Sequence, residues 1–137
     1  MGMVETEIMF KNATDEENAR RGYIKAEDVR TATVTAVVDT GTMSLVITEE
    51  LYQKLGLVVK GEKIVRTANG QRVICKVTDG VEFHWKNRFM VLSALVIPGA
   101  ETVLLGAVPL ECLDLMVNPV TRELVGVHGD DVEYLVL

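Results

Sequence analysis

The chain has 137 residues, 48% of them apolar, 5% aromatic and 25% charged, with a formal net charge of −6. That length suits one domain able to bury a core without staples, and the apolar content excludes a disordered chain. The cations never cluster beyond Arg20-Arg21 in an otherwise acidic segment, which excludes a nucleic-acid partner as an expectation.

In chain order, residues 5–10 read as a first strand. Residues 11–21 are polar and turn-prone, with a short helical piece starting between Asn12 and Asp15. Residues 29–38 are rich in Val and Thr and partly alternate, which predicts a long strand. It ends at Asp39-Thr40-Gly41, where glycine permits a sharp turn. Residues 44–47 form another short strand. Thr48 then reads as an N-cap, with Glu49 and Glu50 at the positive end of a helix. Leu51 and Leu55 lie one turn apart and Gly56 supplies the stop, so the helix has two turns.

A meander follows. Residues 63–67 and 72–77 flank Ala68-Asn69-Gly70-Gln71, and Asn-Gly between strands is a strong hairpin signal. Further turns are predicted at Asp79-Gly80, Lys86-Asn87 and Pro98-Gly99. His84-Trp85 is expected as a half-exposed pair on a sheet face. The apolar run Val103-Leu104-Leu105 is closed by Gly106, and Pro109 suits the first turn of a second short helix over residues 109–113. Strand-like segments at 115–117, 123–127 and 132–137 complete the chain. With no repeat or linker, residues 1–137 are expected to form a single, mostly β domain with two short helices.

Cys75, Cys112, His84 and His128 each stand alone. A zinc site needs three or four converging ligands, so no metal and no other cofactor is expected. The cysteines read as small buried apolar groups in a reducing compartment. No apolar run reaches the roughly 18 residues needed to cross a bilayer. The polar start lacks the apolar centre of a signal peptide, so a cytoplasmic location without a membrane partner is expected.

The chemistry concentrates in Val37-Val38-Asp39-Thr40-Gly41-Thr42, an apolar strand that delivers one carboxylate to a turn flanked by two hydroxyls. Alone, Asp-Thr-Gly is weak, since ordinary residue usage produces it in roughly a few per cent of chains this long. The bland alternative is a solvated turn in which Asp caps its own backbone. Two further features fall in step with it: the hairpin tip at Asn69-Gly70, and Leu104-Leu105-Gly106 opening a helix. Together these resemble the retroviral-type (retropepsin-like) aspartic proteases, and more closely their small bacterial relatives. The resemblance covers residues 22–127. It implies a closed β-barrel or sandwich of the acid protease type, active as a C2 homodimer on an extended peptide or protein substrate.

The residue roles implied are specific. Asp39 would be the catalytic carboxylate. Thr40 would point away from the cleft and bond across the dimer axis. Gly41 would let substrate backbone approach, and its N–H would bond the carboxylate, while Thr42 would bond the outer carboxylate oxygen. Ala68, Asn69, Gly70 and Gln71 would form the tip of a flap that binds an extended peptide as an added strand. Leu104, Leu105 and Gly106 would support the loop from behind. The N-terminal strand and residues 132–137 would lie at the dimer interface, or else residues 132–137 would pack within their own subunit. Two departures stand out: Ala107 occupies the position where retroviral enzymes carry a bracing Arg, and the flap tip has one glycine instead of several.

Catalysis by this resemblance needs two carboxylates. A lone exposed Asp has a pKa near 4 and is a weak base. Two within about 3 Å share one proton, so the ionised member activates a water while the protonated member bonds the scissile carbonyl. With one Asp-Thr-Gly per chain, the second carboxylate must come from a second copy. The expected activity is therefore that of an aspartic endopeptidase. The alternative is a catalytically silent member of the same fold, acting as a dimerisation or peptide-binding module.

Overall fold

The structure is a computed structural model that describes residues 3–129. The expected strand at 132–137 lies outside the described residues.

Strand β1 (Val4–Asn12) buries Ile8, Phe10 and Asn12 on one face. Asn12 then caps helix α1 (Ala13–Arg20), accepting from the Asp15 amide at 3.0 Å. Its Nδ2 donates to the Leu55 carbonyl at 2.8 Å, so the same buried side chain also ties down the next helix. A 3-10 turn over Ala26–Asp28 leads into β2 (Thr31–Val38). After β3 (Leu45–Ile47), the Thr48 hydroxyl accepts from the Leu51 amide at 3.1 Å and starts α2 (Glu49–Lys54), as its sequence predicts. The hairpin β4 (Val59–Arg66) and β5 (Arg72–Trp85) is followed by β6 (Arg88–Val96), β7 (Val103–Leu105) and α3 (Ala107–Cys112). A small ribbon of β8 (Leu115–Val117) and β9 (Leu124–Gly126) ends the described chain.

Seven strands form one sheet in the order β1-β2-β7-β3-β6-β5-β4, and β1 also pairs with β5. That pairing, Met9 with His84 through Asn12 with Val81, closes six strands into a barrel and, among the described residues, leaves β4 as an edge strand on β5. The barrel is filled by Ile8, Phe10, Leu45, Ile47, Phe83 and Leu105, all essentially inaccessible. Burial of such side chains stabilises the fold by about 1.5–3 kcal/mol each. No helix among the described residues is long and apolar enough to cross a membrane.

Three local expectations are corrected. The helical piece near Asn12 runs for two turns, so the described residues hold three short α-helices where the sequence suggests two. Asp79-Gly80 is not a turn but a bulge inside β5, where the register with β6 shifts between Val77 and Gly80. Thr78 makes good the ladder there: its hydroxyl accepts from the Ala94 amide at 3.0 Å and donates to the Asp79 carbonyl at 2.7 Å. A Cβ at Gly80 would lie 2.9 Å from Val91 Cγ1, which explains glycine at this crowded point. Finally, Trp85 is buried, its indole N–H donating to Thr6 Oγ1 at 2.9 Å. His84 points to the other face of β5, half-buried, bonded to Glu82 at 2.7 Å and stacked on Phe89.

Arg88 clamps the terminal ribbon to the barrel. Its Nη1 donates to the carbonyls of Leu113 (2.9 Å) and Asp114 (2.8 Å), and its Nη2 to that of Gly129. Cys75 is buried and Cys112 half-buried, and both are free thiols. Burial pushes the Cys75 thiol pKa up.

Helix α1 is fixed by a second polar device. Asp15 receives two bonds from the Arg30 guanidinium, at 2.8 and 3.0 Å, and one from the Arg30 amide at 3.1 Å. The side-chain bonds from Arg30 hold the Asp15 carboxyl below its ordinary pKa, against the opposing effect of burial. A carboxyl with a lowered folded-state pKa stabilises the protein above its unfolded value, and that contribution fades as pH falls through the folded value. Asp15→Asn should therefore cost about 1 kcal/mol at neutral pH, discounted because Arg30 is half-exposed. The gap from the parent should close below pH of about 4, as read from urea unfolding midpoints.

Candidate active site

The site is built where β7 slides between β2 and β3. Strands β2 and β7 run parallel, pairing Ala36 with Val103 and Val38 with Leu105. Strand β3 runs antiparallel to β7, pairing Leu45 with Leu105. The loop from Asp39 to Ser44 must then cross the end of β7, and backbone bonds hold it there. The Asp39 amide donates to Leu105 O at 2.9 Å, and the Gly106 amide to Ser44 O at 3.1 Å. From the start of α3, the Ala107 amide donates to Thr42 O at 2.7 Å and the Val108 amide to Met43 O at 2.9 Å.

This explains the apolar-apolar-Gly element residue by residue. Leu105 is fully buried in the barrel, and half-buried Leu104 lines the adjacent cleft. Gly106 is glycine because a Cβ would sit 2.5 Å from Ser44 O and 2.7 Å from Met43 C, and closer still to Thr42 O. Ala107 holds the loop through its backbone alone.

The carboxyl of Asp39 is half-buried and gripped at both oxygens. Oδ1 accepts from the Gly41 amide at 3.1 Å, and Oδ2 from the Thr42 hydroxyl at 2.9 Å. Two donors on opposite oxygens fix the plane of the group. Thr40 is exposed, and its hydroxyl has no partner among the described residues.

Beside the loop lies a cleft of ≈ 500 Å³. Gly41, Thr42, Met43 and Ser44 form one wall, and residues 63–68 of β4 and the hairpin tip form the other. Its floor is apolar: Val46, Leu95, Ile97 and Leu104. At the tip, Gly70 adopts φ +85°, the left-handed conformation that glycine accepts without strain. Its amide donates to Thr67 O at 2.9 Å, and the Thr67 amide donates to Gln71 O at 2.8 Å. Asn69 Oδ1 accepts from the Gln71 amide at 3.3 Å and from the Thr67 hydroxyl.

Of the residues singled out from sequence, the cleft therefore brings together Gly41, Thr42, Ala68 and Leu104. Asn69, Gly70 and Gln71 lie at the exposed tip beyond its lining, and Leu105 and Gly106 lie behind the loop. Sequence reasoning missed Lys63 to Arg66 on the wall and Leu95 and Ile97 on the floor. The floor depends on β3 pairing in parallel with β6, Val46 opposite Leu95, a contact no local pattern announces.

Comparison with known proteins bears on the fold and on the family. The structure matches that of the EIAV protease complexed with the inhibitor HBY-793, with a TM-score of 0.56 at 18% identity, covering 80% of this chain and 86% of that one. The fold is thus retropepsin-like: mostly β, with a closed barrel and a few short helices. No curated protein matches in sequence. A family model described as aspartyl protease matches residues 24–108, from the approach to β2 through the Asp39 loop and the hairpin to the start of α3. With more than half of its length matched, the chain belongs to the aspartyl protease family.

Proposed function

We propose that the chain is one subunit of a homodimeric aspartic endopeptidase, acting as a single domain whose Asp39 meets its twin across a two-fold axis. One observation carries this reading. Asp39 is held by an amide and a hydroxyl on a loop anchored by four backbone bonds, and the next residues of that loop, Gly41 to Ser44, wall a cleft opposite the hairpin.

In the proposed dimer the two carboxyls share one proton. The ionised member takes a proton from a water held between them, and the protonated member donates to the scissile carbonyl oxygen. Water attacks the carbonyl carbon directly, and the C–N bond breaks as the nitrogen is protonated. The loop's contribution is to keep each carboxyl in place without rearrangement. Thr40, exposed and without a hydroxyl partner among the described residues, would take a partner from the second copy. Gly41 supports the same reading. Its φ is not positive, and a Cβ there would meet only Asp39 Oδ1 at 3.4 Å among the described residues, none of which demands glycine there. Close approach of a substrate backbone supplies the reason.

The outer edge of β4, which pairs with no other strand among the described residues, would take an extended peptide as an added strand over the apolar floor. Sedimentation equilibrium should show a monomer–dimer equilibrium, and specific activity on an unstructured protein should rise with enzyme concentration in parallel. A peptide with a hydroxyl in place of the scissile carbonyl should raise the melting temperature of the dimer. A stable monomer that is fully active would sink the paired-carboxyl mechanism.

A further inference from the structure

Charge is distributed unevenly over this acidic chain. All five cations between Lys11 and Arg30 have an acidic partner: Glu16, Glu17, Glu27 or Asp15. The β4–β5 hairpin is different. Between Val59 and Lys76 it carries Lys60, Lys63, Arg66, Arg72 and Lys76 against a single acid, Glu62. Lys76 is occupied, bonded to Glu49 at 3.1 Å and placed over the Tyr52 ring. Among the described residues, Lys60, Lys63, Arg66 and Arg72 have no ion pair.

Two of these cations, Lys63 and Arg66, line the cleft beside the Asp39 loop, and among the described residues no acidic side chain lines it. Arg66 also stands directly opposite Arg72 in the hairpin register, a like-charge pair that weakens the ladder. An anion near the hairpin tip would relieve that repulsion. Lys63 and Arg66 are three residues apart on one edge strand, roughly 10 Å at the usual rise. The pleat turns the two cations to opposite faces of the strand, and a peptide paired along that edge alternates in the same way, so side chains three positions apart on it would meet both, while the apolar floor takes the residues at the bond to be cut.

We propose that the hairpin makes this site selective for peptide segments carrying acidic side chains on the flanks of an apolar scissile pair, with Lys63 and Arg66 as the residues that read them. The inference rests on the protease reading above and names its substrate class. Attraction in a cleft lined by one sign of charge raises the local concentration of the matching substrate and falls with ionic strength.

The test uses one peptide frame with an apolar centre and Glu, Gln or Lys at the flanking positions. At low salt, kcat/KM should favour the Glu peptide over the Gln peptide by about tenfold and place the Lys peptide last. The ratio should approach one in 1 M salt. The Lys63→Glu/Arg66→Glu double variant should reverse the order. Binding of the same labelled peptides to the Asp39→Asn protein, followed by fluorescence anisotropy, should show the same ranking without turnover. Cleavage of Glu and Gln peptides at equal rates, or a ratio that ignores salt, would overturn the inference and leave the protease reading intact. Acid-selective binding with no cleavage of any peptide by the parent protein would instead overturn the protease reading and uphold the role of Lys63 and Arg66. Absence of both would overturn the two together.

Discussion

Asp39→Asn is expected to leave the protein folded and the proposed dimer intact, and to lower cleavage of an unstructured protein by about a thousandfold or more. The substitution is nearly isosteric, and its surroundings accept an amide. The Asn carbonyl oxygen can still take the Gly41 N–H, and the Thr42 hydroxyl, now 2.9 Å from Oδ2, can turn to accept from the amide nitrogen. What disappears is the ability to share and exchange a proton, because an amide neither ionises nor acts as a general base. Thermal melting and sedimentation measured beside the cleavage assay, at mildly acidic pH, separate the two effects. Cleavage by the variant at the parental rate would place the chemistry elsewhere or in a contaminant.

Gly106→Ala is expected to be the most damaging single methyl group that can be added near the site. The new Cβ would be driven into the backbone of residues 42–44, with Ser44 O at 2.5 Å and Met43 C at 2.7 Å. Backbone cannot rotate aside as a side chain does, so the Asp39 loop must detach from β7 and α3. Overpacking of this kind costs about 3 kcal/mol or more. Activity should fall further than stability, since displacement of the carboxyl by even a fraction of an ångström spoils its alignment. Gly61→Ala is the matched control: nothing lies within 4 Å of its Cβ position and its φ is not positive. Urea midpoints should separate the two variants clearly. Equal stability of Gly106→Ala and the parent would mean that the loop is not held as tightly as its backbone bonds imply.

Much of the molecule was legible before its coordinates. Thr48 caps α2, Asn12 begins α1, and Asn69-Gly70 turns the hairpin, because each of these is decided by atoms within four residues along the chain. The same holds for the carboxyl grip: Gly41 and Thr42 reach Asp39 across two and three residues. Asp79-Gly80 shows the limit. Its composition suits a turn and a bulge equally well, and Val91 and Ala13, distant in sequence, decide for the bulge. Trp85 and His84 show it again, since closure of β5 against β1 puts one inside the barrel and the other on its outer face.

By itself, the order of residues determined the caps of α1 and α2, the turn of the hairpin, and that an acid sits at a glycine-bearing turn after β2. Only the tertiary structure decided that β7 lies between β2 and β3, that Gly106 must lack a side chain, and that residues 63–68 line a cleft with an apolar floor. The physical reason is reach. Caps, turns and alternation depend on neighbours a few bonds away, whereas the site is assembled from strands whose partners are chosen by burial across the whole barrel.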